Sequence, residues 1–388
     1  MRSFLTLLGV IIGVMTVVTV VAIISGLNNY ISEKVFSLNP DVYAVTKFGI
    51  ITSREAFLEA MKRKNITWED YEAVESRCNL CSLVGASLET NATVKRAAKK
   101  LANVSTRGTT ANMAELNNLD LETGRFFTPT EERRSALAVV IGADVREELF
   151  GKLDPIGRTI NVANQPMRVI GLLAKQGSVL GQSQDKVLYI PISTWRKRFG
   201  ARESITIFVR ARNGVPGVNA SMDDVRVILR SRRRTAFRAE DPFSAVTAEA
   251  LQMLWKSISA SLFSLMILIS GISLLVGGIV IMNIMLVSVI ERTREIGVRR
   301  AIGATRKQIR RQFLTEAVML SLGGGIAGVL LGMAIAKVIA TVTPMPTLVR
   351  PSLIVAGLLI SVVTGVLAGV FPAIRASKLP PVEALRFE

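Results

Sequence analysis

The side chains on which most enzymes rely are missing or poorly placed in this 388-residue sequence. It contains no histidine, which removes the usual general base and the commonest metal ligand. Cys78 and Cys81 form C-N-L-C with no second pair to complete a zinc site. They can close a local disulfide or stand as two thiols, and a redox role would require a thioredoxin-like fold around them. The adjacent acids Glu131-Glu132, Glu147-Glu148 and Asp223-Asp224 have no partner base or metal spacing and read as solvated surface. No G-x-x-x-x-G-K-[ST] phosphate loop occurs, so ATP chemistry is expected from a partner. Gly323 to Gly328 matches G-x-G-x-x-G, but it falls inside an apolar stretch and not after a strand, which favours close helix packing over dinucleotide binding. Neither a catalytic residue nor a metal site is expected.

What the sequence offers is a chemistry of docking. Residues 291–312 carry eight cations (Arg292, Arg294, Arg299, Arg300, Arg306, Lys307, Arg310, Arg311) against two acids, Glu291 and Glu295. Between them sit Ile296, Gly297, Ala301, Gly303 and Ala304. Contact-sized and small residues at helical spacing leave a slim surface suited to a groove on another protein. A second basic run, Arg230-Ser231-Arg232-Arg233-Arg234, lacks interleaved aromatics and reads as a solvated face near anionic lipid rather than a nucleic-acid site.

The elements that hold these residues are mostly apolar. Composition is 49% hydrophobic with net charge +18, and mean hydropathy is +0.40. Ser3 to Ser32 and Ser257 to Ile290 are uncharged, and as helices each runs roughly 45–50 Å, beyond a ~30 Å hydrocarbon core. Both should project, and Leu27, Ile31 and Val35, with Leu251, Leu254, Trp255, Ile258 and Leu262, give the projections one apolar face each, as in a stalk. A third span lies at about 317–336, within 313–340, and a fourth at 352–374, which Pro372 helps to end. The bias of short loops toward Lys and Arg puts the N-terminus, the basic segment and the tail with Arg375, Lys378 and Arg386 in the cytoplasm, and residues 33–246 outside. Glu316, the one acid within a span, needs a partner such as Arg299, Arg300 or Arg311.

Four-residue spacing of Gly9 and Gly13, of Gly324, Gly328 and Gly332, and of Gly365 and Gly369 marks helix-packing faces. The outer segment reads as mixed α/β, with strands near 42–45, 137–141, 167–172, 187–192 and 205–209. A helix is capped by Thr67, and another opens near Pro216 and Ser221. The fold class is an α-helical membrane protein with four transmembrane helices plus a large α/β extracytoplasmic domain inserted between helices 1 and 2.

The run E-R-T-R-E-I-G-V-R-R-A-I-G-A-T at 291–305, Q-F-L-T-E-A at 312–317 and F-P-A-I-R-A-S-K-L-P-P-V-E-A-L-R at 371–386 resemble the permease segment of the MacB/FtsX superfamily of ABC transporters. G-R-F-F-T at 124–128, V-V-I-G-A-D-V at 139–145, L-F-G-K-L-D-P-I-G-R-T-I at 149–160, M-R-V-I-G-L-L at 167–173 and L-Y-I-P-I-S-T at 188–194 resemble the periplasmic core of MacB. The resemblance implies a type VII ABC transporter membrane subunit in the plasma membrane. Its stalk starts within 1–32 and resumes at 247–290, and an inserted lobe occupies about 112–200. Its coupling helix is carried by 291–312, where Glu291, Arg294, Glu295, Gly297, Arg299, Ala301, Gly303 and Ala304 match the family motif, and a tail follows at 375–388.

The same resemblance implies partners: a cytoplasmic ABC ATPase that binds ATP and magnesium, a second copy of the chain or a paralogous permease, and the lipid bilayer. It leaves room for a periplasmic adaptor and an outer-membrane channel, and none for nucleic acid. MacB carries its ATPase ahead of the first span, whereas this sequence starts almost inside that span, without the amphipathic helix that usually precedes it. The expectation is therefore a separate ATPase chain and a non-catalytic permease driven by mechanotransmission. An FtsX-like regulator of a cell-wall hydrolase and a lipoprotein-releasing permease are the alternatives.

Overall fold

The computed structural model describes residues 2–30, 39–179, 182–200, 202–343 and 347–380. Its contacts divide the chain into two compact units, residues 32–255 and a helical unit of residues 1–31 with 256–388. Ile31, Val35 and Arg386 lie outside the described residues.

The helical unit contains α1 (Arg2–Tyr30), most of α9 (Ala248–Glu291), the short α10 (Thr293–Ala301), α11 (Arg306–Val342) and α12 (Pro351–Lys378). Among the described residues, α1, α9, α11 and α12 are the four helices long and apolar enough to cross a membrane. Two boundaries differ from the sequence reading. The basic segment is not one loop, since its second half, from Arg306, forms the first turns of α11, opened by a capping box of Thr305 and Gln308. Pro372 does not end the fourth span, because α12 continues through it to Lys378.

Small residues set the packing. Where α11 meets α12 antiparallel, Ala317 faces Gly369, Ser321 faces Gly365, Gly325 faces Ser361 and Val329 faces Gly357. Each step moves four residues up one helix and four down the other, so two small-x-x-x-small stripes interlock. On another face of α11, Gly328 and Gly332 bring the helix against the Ile11 and Met15 carbonyls of α1, and Thr19 donates to the Gly332 carbonyl at 3.2 Å. Gly9 rests on Gly277 of α9, where a Cβ would come within 2.6 Å of the Gly277 Cα, and Gly13 rests on Leu274. Gly324 is buried in α11. Gly9, Gly13, Gly328, Gly332, Gly365 and Gly369 thus lie at close helix contacts, and other small residues at such contacts, Gly277, Ser321, Gly325, Gly357 and Ser361, escape a search for glycine pairs alone.

The other unit is a mixed α/β domain. Its strands are β1 (Val42–Thr46), β2 (Cys81–Arg96), β3 (Lys99–Thr109), β4 (Leu121–Gly124), β5 (Ala138–Ile141) and β6 (Thr159–Val162), then β7 (Gln165–Leu173), β8 (Ser178–Val179), β9 (Gln182–Ser183), β10 (Val187–Pro191), β11 (Thr206–Ala211) and β12 (Ser244–Thr247). Its helices are α2 (Arg54–Lys62), α3 (Trp68–Arg77), α4 (Met113–Leu116), α5 (Pro129–Arg133), α6 (Ala143–Phe150), α7 (Ile192–Phe199) and α8 (Val218–Arg232). Among the described residues, ten strands form one sheet in the order β12-β1-β11-β2-β3-β10-β5-β7-β4, with β6 against β2 and β7. Segment 112–200 has a small core of its own around Phe127, Val140 and Tyr189. It nevertheless shares the sheet, through parallel pairing of β10 with β3.

The predicted strands coincide with β1, β5, β7, β10 and β11, except that Ile192 opens α7. Unforeseen is the long hairpin of β2 and β3, whose sequence is rich in Ser, Thr, Asn and Lys. It even closes on like-charge cross-strand pairs, Lys95 with Lys100 and Arg96 with Lys99, an arrangement that normally destabilises a sheet. The C-terminus of α6 relieves it: Arg96 donates to the Leu149 carbonyl and Lys99 to the Glu148 carbonyl, both at 2.9 Å. Those carbonyls have no partner within the helix and carry the negative end of its dipole.

Two groups read as solvated surface have members that hold structural bonds. Of the basic run, Arg232 and Arg233 bond to Asp70 at 2.9 and 2.7 Å, and Arg230 pairs with Asp241 at 2.5 Å. Burial alone would raise the Asp70 carboxyl, but the hydrogen bonds from Arg233, the Thr67 amide and Arg232 outweigh it and hold it below its ordinary value. Of the acids, Glu131 binds Arg125 and caps α5 from its third position, which holds it down at about 2. Glu132 is raised chiefly by burial, and Asp224 accepts from the Asn79 amide at 3.0 Å and the Leu80 amide. Cys78 and Cys81 form a disulfide that closes the turn held by Asp224. The solvated-face reading holds for Glu147, Glu148, Asp223 and Arg234, which are exposed, and gives way at Arg230, Arg233, Glu131, Glu132 and Asp224, where the fold brings a backbone group or an opposite charge within hydrogen-bond reach.

Candidate functional site

The basic segment begins where α9 stops. Arg292 leaves helical geometry, and α10 runs from Thr293 to Ala301 before Gly303, at φ 104°, turns the chain into α11. Glycine suits that turn because a side chain rarely adopts positive φ.

Helical spacing gives α10 two faces. Thr293, Ile296 and Gly297 are buried, and Ile296, at 3% exposure, packs among Val289, Ile309, Phe313, Ala373 and Ala376. Arg294, Glu295, Val298 and Ala301 point outward, followed by Ile302 and Gly303. Val298 is 45% exposed and Ile302 81%. A shallow depression is lined by Glu291, Arg292, Arg294, Glu295, Val298 and Arg299.

Two arginines fasten the element inward. Arg292 binds Glu316 at 3.1 Å, so the acid of α11 is paired, but with none of the three arginines expected. The reversal of the chain at Arg292 brings that side chain alongside α11, whereas Arg299 is taken by Glu295 one turn earlier on α10 at 2.5 Å. Arg300 donates to the carbonyls of Ser377 and Leu379, satisfying acceptors at the end of α12 that the helix leaves unpaired. Arg294, Arg306, Lys307, Arg310 and Arg311 are exposed and form no ion pair among the described residues.

The outward surface therefore joins mixed charge to two uncovered aliphatic side chains, with spare cations beside them. Such a surface can bind an acidic protein face that has an apolar recess, and it contains no acid–base or nucleophilic pairing. Among the described residues no cluster of His, Cys, Asp and Glu could hold a metal ion. Of the sequence-predicted docking residues, Glu291, Arg294, Glu295, Arg299, Ala301, Gly303 and Ala304 lie on or beside this surface. Ile296 and Gly297 do not: they are the inward side of α10, and Arg300 is committed to α12. Val298 and Ile302 are exposed aliphatic side chains that the sequence reading did not single out, although their four-residue spacing was the available signal.

Residues 3–225 match the family model described as MacB-like periplasmic core domain, and residues 267–381 match the one described as FtsX-like permease C-terminal. The macrolide export ATP-binding/permease protein MacB of Bdellovibrio bacteriovorus is 34% identical over 391 residues, which take in 100% of this chain and 59% of that protein. The chain thus spans about three-fifths of the length of that relative. The ABC transporter permease YknZ of Bacillus subtilis is 31% identical over 409 residues, with 100% of this chain and 96% of that one covered. The crystal structure of the periplasmic region of MacB from Actinobacillus actinomycetemcomitans is similar with a TM-score of 0.48 and 18% identity, covering 58% of this chain and 97% of that one. With both family models matched and four apolar helices among the described residues, the chain belongs to the MacB/FtsX-like family of ABC transporter permeases.

Proposed function

We propose that this chain is the membrane subunit of an ATP-driven exporter that acts by mechanotransmission, with an ABC ATPase docking on the outer face of α10. The observation that carries this reading is the two-sidedness of α10. One face is fixed to α11 and α12 by Ile296, the Arg292–Glu316 pair and Arg300, while the other presents Val298 and Ile302 uncovered among charges. An element fixed on one side and bare on the other passes a push from a partner into the helices behind it. The eight cations of 291–312 support a cytoplasmic location for it, with both termini on the same side.

In this reading ATP and magnesium bind the ATPase. Closure of the ATPase displaces α10, and α11, α12 and α1 follow because their small-residue stripes leave little slack. In this reading the substrate is an antibiotic, a peptide or another extracytoplasmic substrate, a reading supported by the macrolide export in the names of the MacB relatives. Two copies of the chain work together. The test is reconstitution of the chain with an ABC ATPase in vesicles. Glu295→Ala with Arg299→Ala should leave folding intact and reduce both ATPase stimulation and export, and full coupling in that double variant would refute the docking role.

A further inference from the structure

The two like-charge pairs at the tip of the β2–β3 hairpin meet different surroundings. Arg96 and Lys99 donate to the carbonyls at the end of α6. Lys95 and Lys100 face each other one register position farther from the turn, and neither side chain has an ion pair or hydrogen bond among the described residues. Like charges directly opposite on a sheet repel, so this pair keeps a cost that its neighbour avoids.

The pair borders an open cavity of about 460 Å³. Asn91, Thr93 and Lys95 reach it from β2, where alternate residues share a face, and Lys100 reaches it from β3. Asn164, in the turn between β6 and β7, and Arg198, near the end of α7, close the other side. That turn is held from two directions. The Ala163 amide donates to the Thr93 carbonyl at 3.1 Å, and Arg198 donates to the Ala163 carbonyl through Nε at 3.1 Å and through Nη2. Arg198 is thereby fixed in place, with its Nη1 left without a bond among the described residues. The lining thus holds three cations, two carboxamides and a hydroxyl, and it contains no acid. Phe199, half-buried and backed by Trp195 with ring centroids 5.3 Å apart, adds an apolar wall.

Three cations around one depression exceed what a single carboxylate offsets. A phosphate monoester carries about 1.5 to 2 negative charges and three strong acceptor oxygens, which suit two lysines acting as point charges and an arginine that donates hydrogen bonds. The volume falls in the range of roughly 300–1,000 Å³ for small-molecule sites and is larger than phosphate alone requires. We propose that this cavity binds a phosphate monoester, with the phosphate among Lys95, Lys100 and Arg198 and the organic part against Phe199. The ligand supplies the counter-charge that the Lys95–Lys100 pair lacks, and it joins the hairpin to segment 112–200, which contributes Asn164 and Arg198. The inference does not depend on the docking of an ATPase.

Calorimetry on the full chain in a phosphate-free detergent tests it, with phenyl phosphate as the probe and benzoate as the carboxylate control. Phenyl phosphate should bind at one site per chain, more weakly as salt rises. Benzoate, and phenyl phosphate with the Lys95→Ala/Lys100→Ala variant, should each bind about 10-fold more weakly or less well still, the loss of one charge-assisted contact or more. Lys95→Arg with Lys100→Arg should retain the probe, and Lys62→Ala with Lys64→Ala, on an exposed stretch elsewhere, should not alter its affinity. Without the probe, the Lys95→Ala/Lys100→Ala variant should melt no earlier than the parent, because it removes a repulsion. In nanodiscs, phosphatidic acid that displaces phenyl phosphate would identify a lipid headgroup as the source of the monoester, and undiminished binding would identify a soluble one. Equal affinity for benzoate, parental affinity in the Lys95→Ala/Lys100→Ala variant, or no binding of phenyl phosphate would overturn the site. Earlier melting of that variant with the probe still bound would show that the pair serves the fold instead.

Discussion

Exchange of Ile302 for alanine separates docking from folding. With 81% of its surface exposed, Ile302 contributes little to the fold, so almost all of its apolar area is available to a partner. Alanine removes three carbons, and at about 0.8 kcal/mol per buried methylene group the loss on docking is roughly 2 kcal/mol, equivalent to about 30-fold in affinity. Ile296 supplies the control, since at 3% exposure its alanine variant should lose about 2–5 kcal/mol of stability through the cavity it leaves. The assay is titration of an ABC ATPase onto the chain in nanodiscs, with thermal unfolding measured in parallel. Ile302→Ala should unfold as the parent does and bind about 30-fold more weakly, whereas Ile296→Ala should melt earlier. Parental affinity in Ile302→Ala, with weakened binding in a properly folded Ile296→Ala, would show that α10 docks by the face assigned here to the bundle.

Gly325→Leu should force α11 from α12, because a Cβ there already collides with Ser361; loss of the folded helical unit in detergent, with Gly323→Leu tolerated where nothing lies near, checks this. Asp70→Asn should cost about 3 kcal/mol by leaving Arg232 and Arg233 without their carboxylate, seen as a lowered denaturant midpoint in Trp68 and Trp195 fluorescence. The pH dependence follows from the depressed carboxyls of Asp70 and Glu131. Their stabilisation is complete above the ordinary carboxylate range and disappears as pH falls through the folded-state values, which for Glu131 means between its ordinary value of 4.5 and about 2. Glu131 lies near the surface, so screening by solvent keeps its share small, and Asp70→Asn should reduce the acid sensitivity. Cys78→Ser with Cys81→Ser should cost no more than about 2 kcal/mol, as expected for so short a disulfide loop.

The spans, the order of the elements and the strands rich in β-branched residues were legible because burial in lipid or in a sheet imposes a local pattern. The β2–β3 hairpin was not, because its polar residues and its four cations at the turn are stabilised by α6, a segment 50 residues away. The basic run at 230–234 misled for the same reason, its partners Asp70 and Asp241 being set by tertiary structure. In α10 the difficulty was different. Residues 293, 296, 297 and 300 share one face of a helix, and 294, 298 and 301 share another; both hold one aliphatic side chain, an arginine and small residues. Periodicity therefore finds two equivalent faces, and the neighbours decide between them. Ile296 joins the buried cluster that holds Phe313 and Ala373, and the carbonyls at the end of α12 are within reach of Arg300. On the docking reading proposed above, which residues of 291–305 would touch a partner follows only from what α11 and α12 have already claimed.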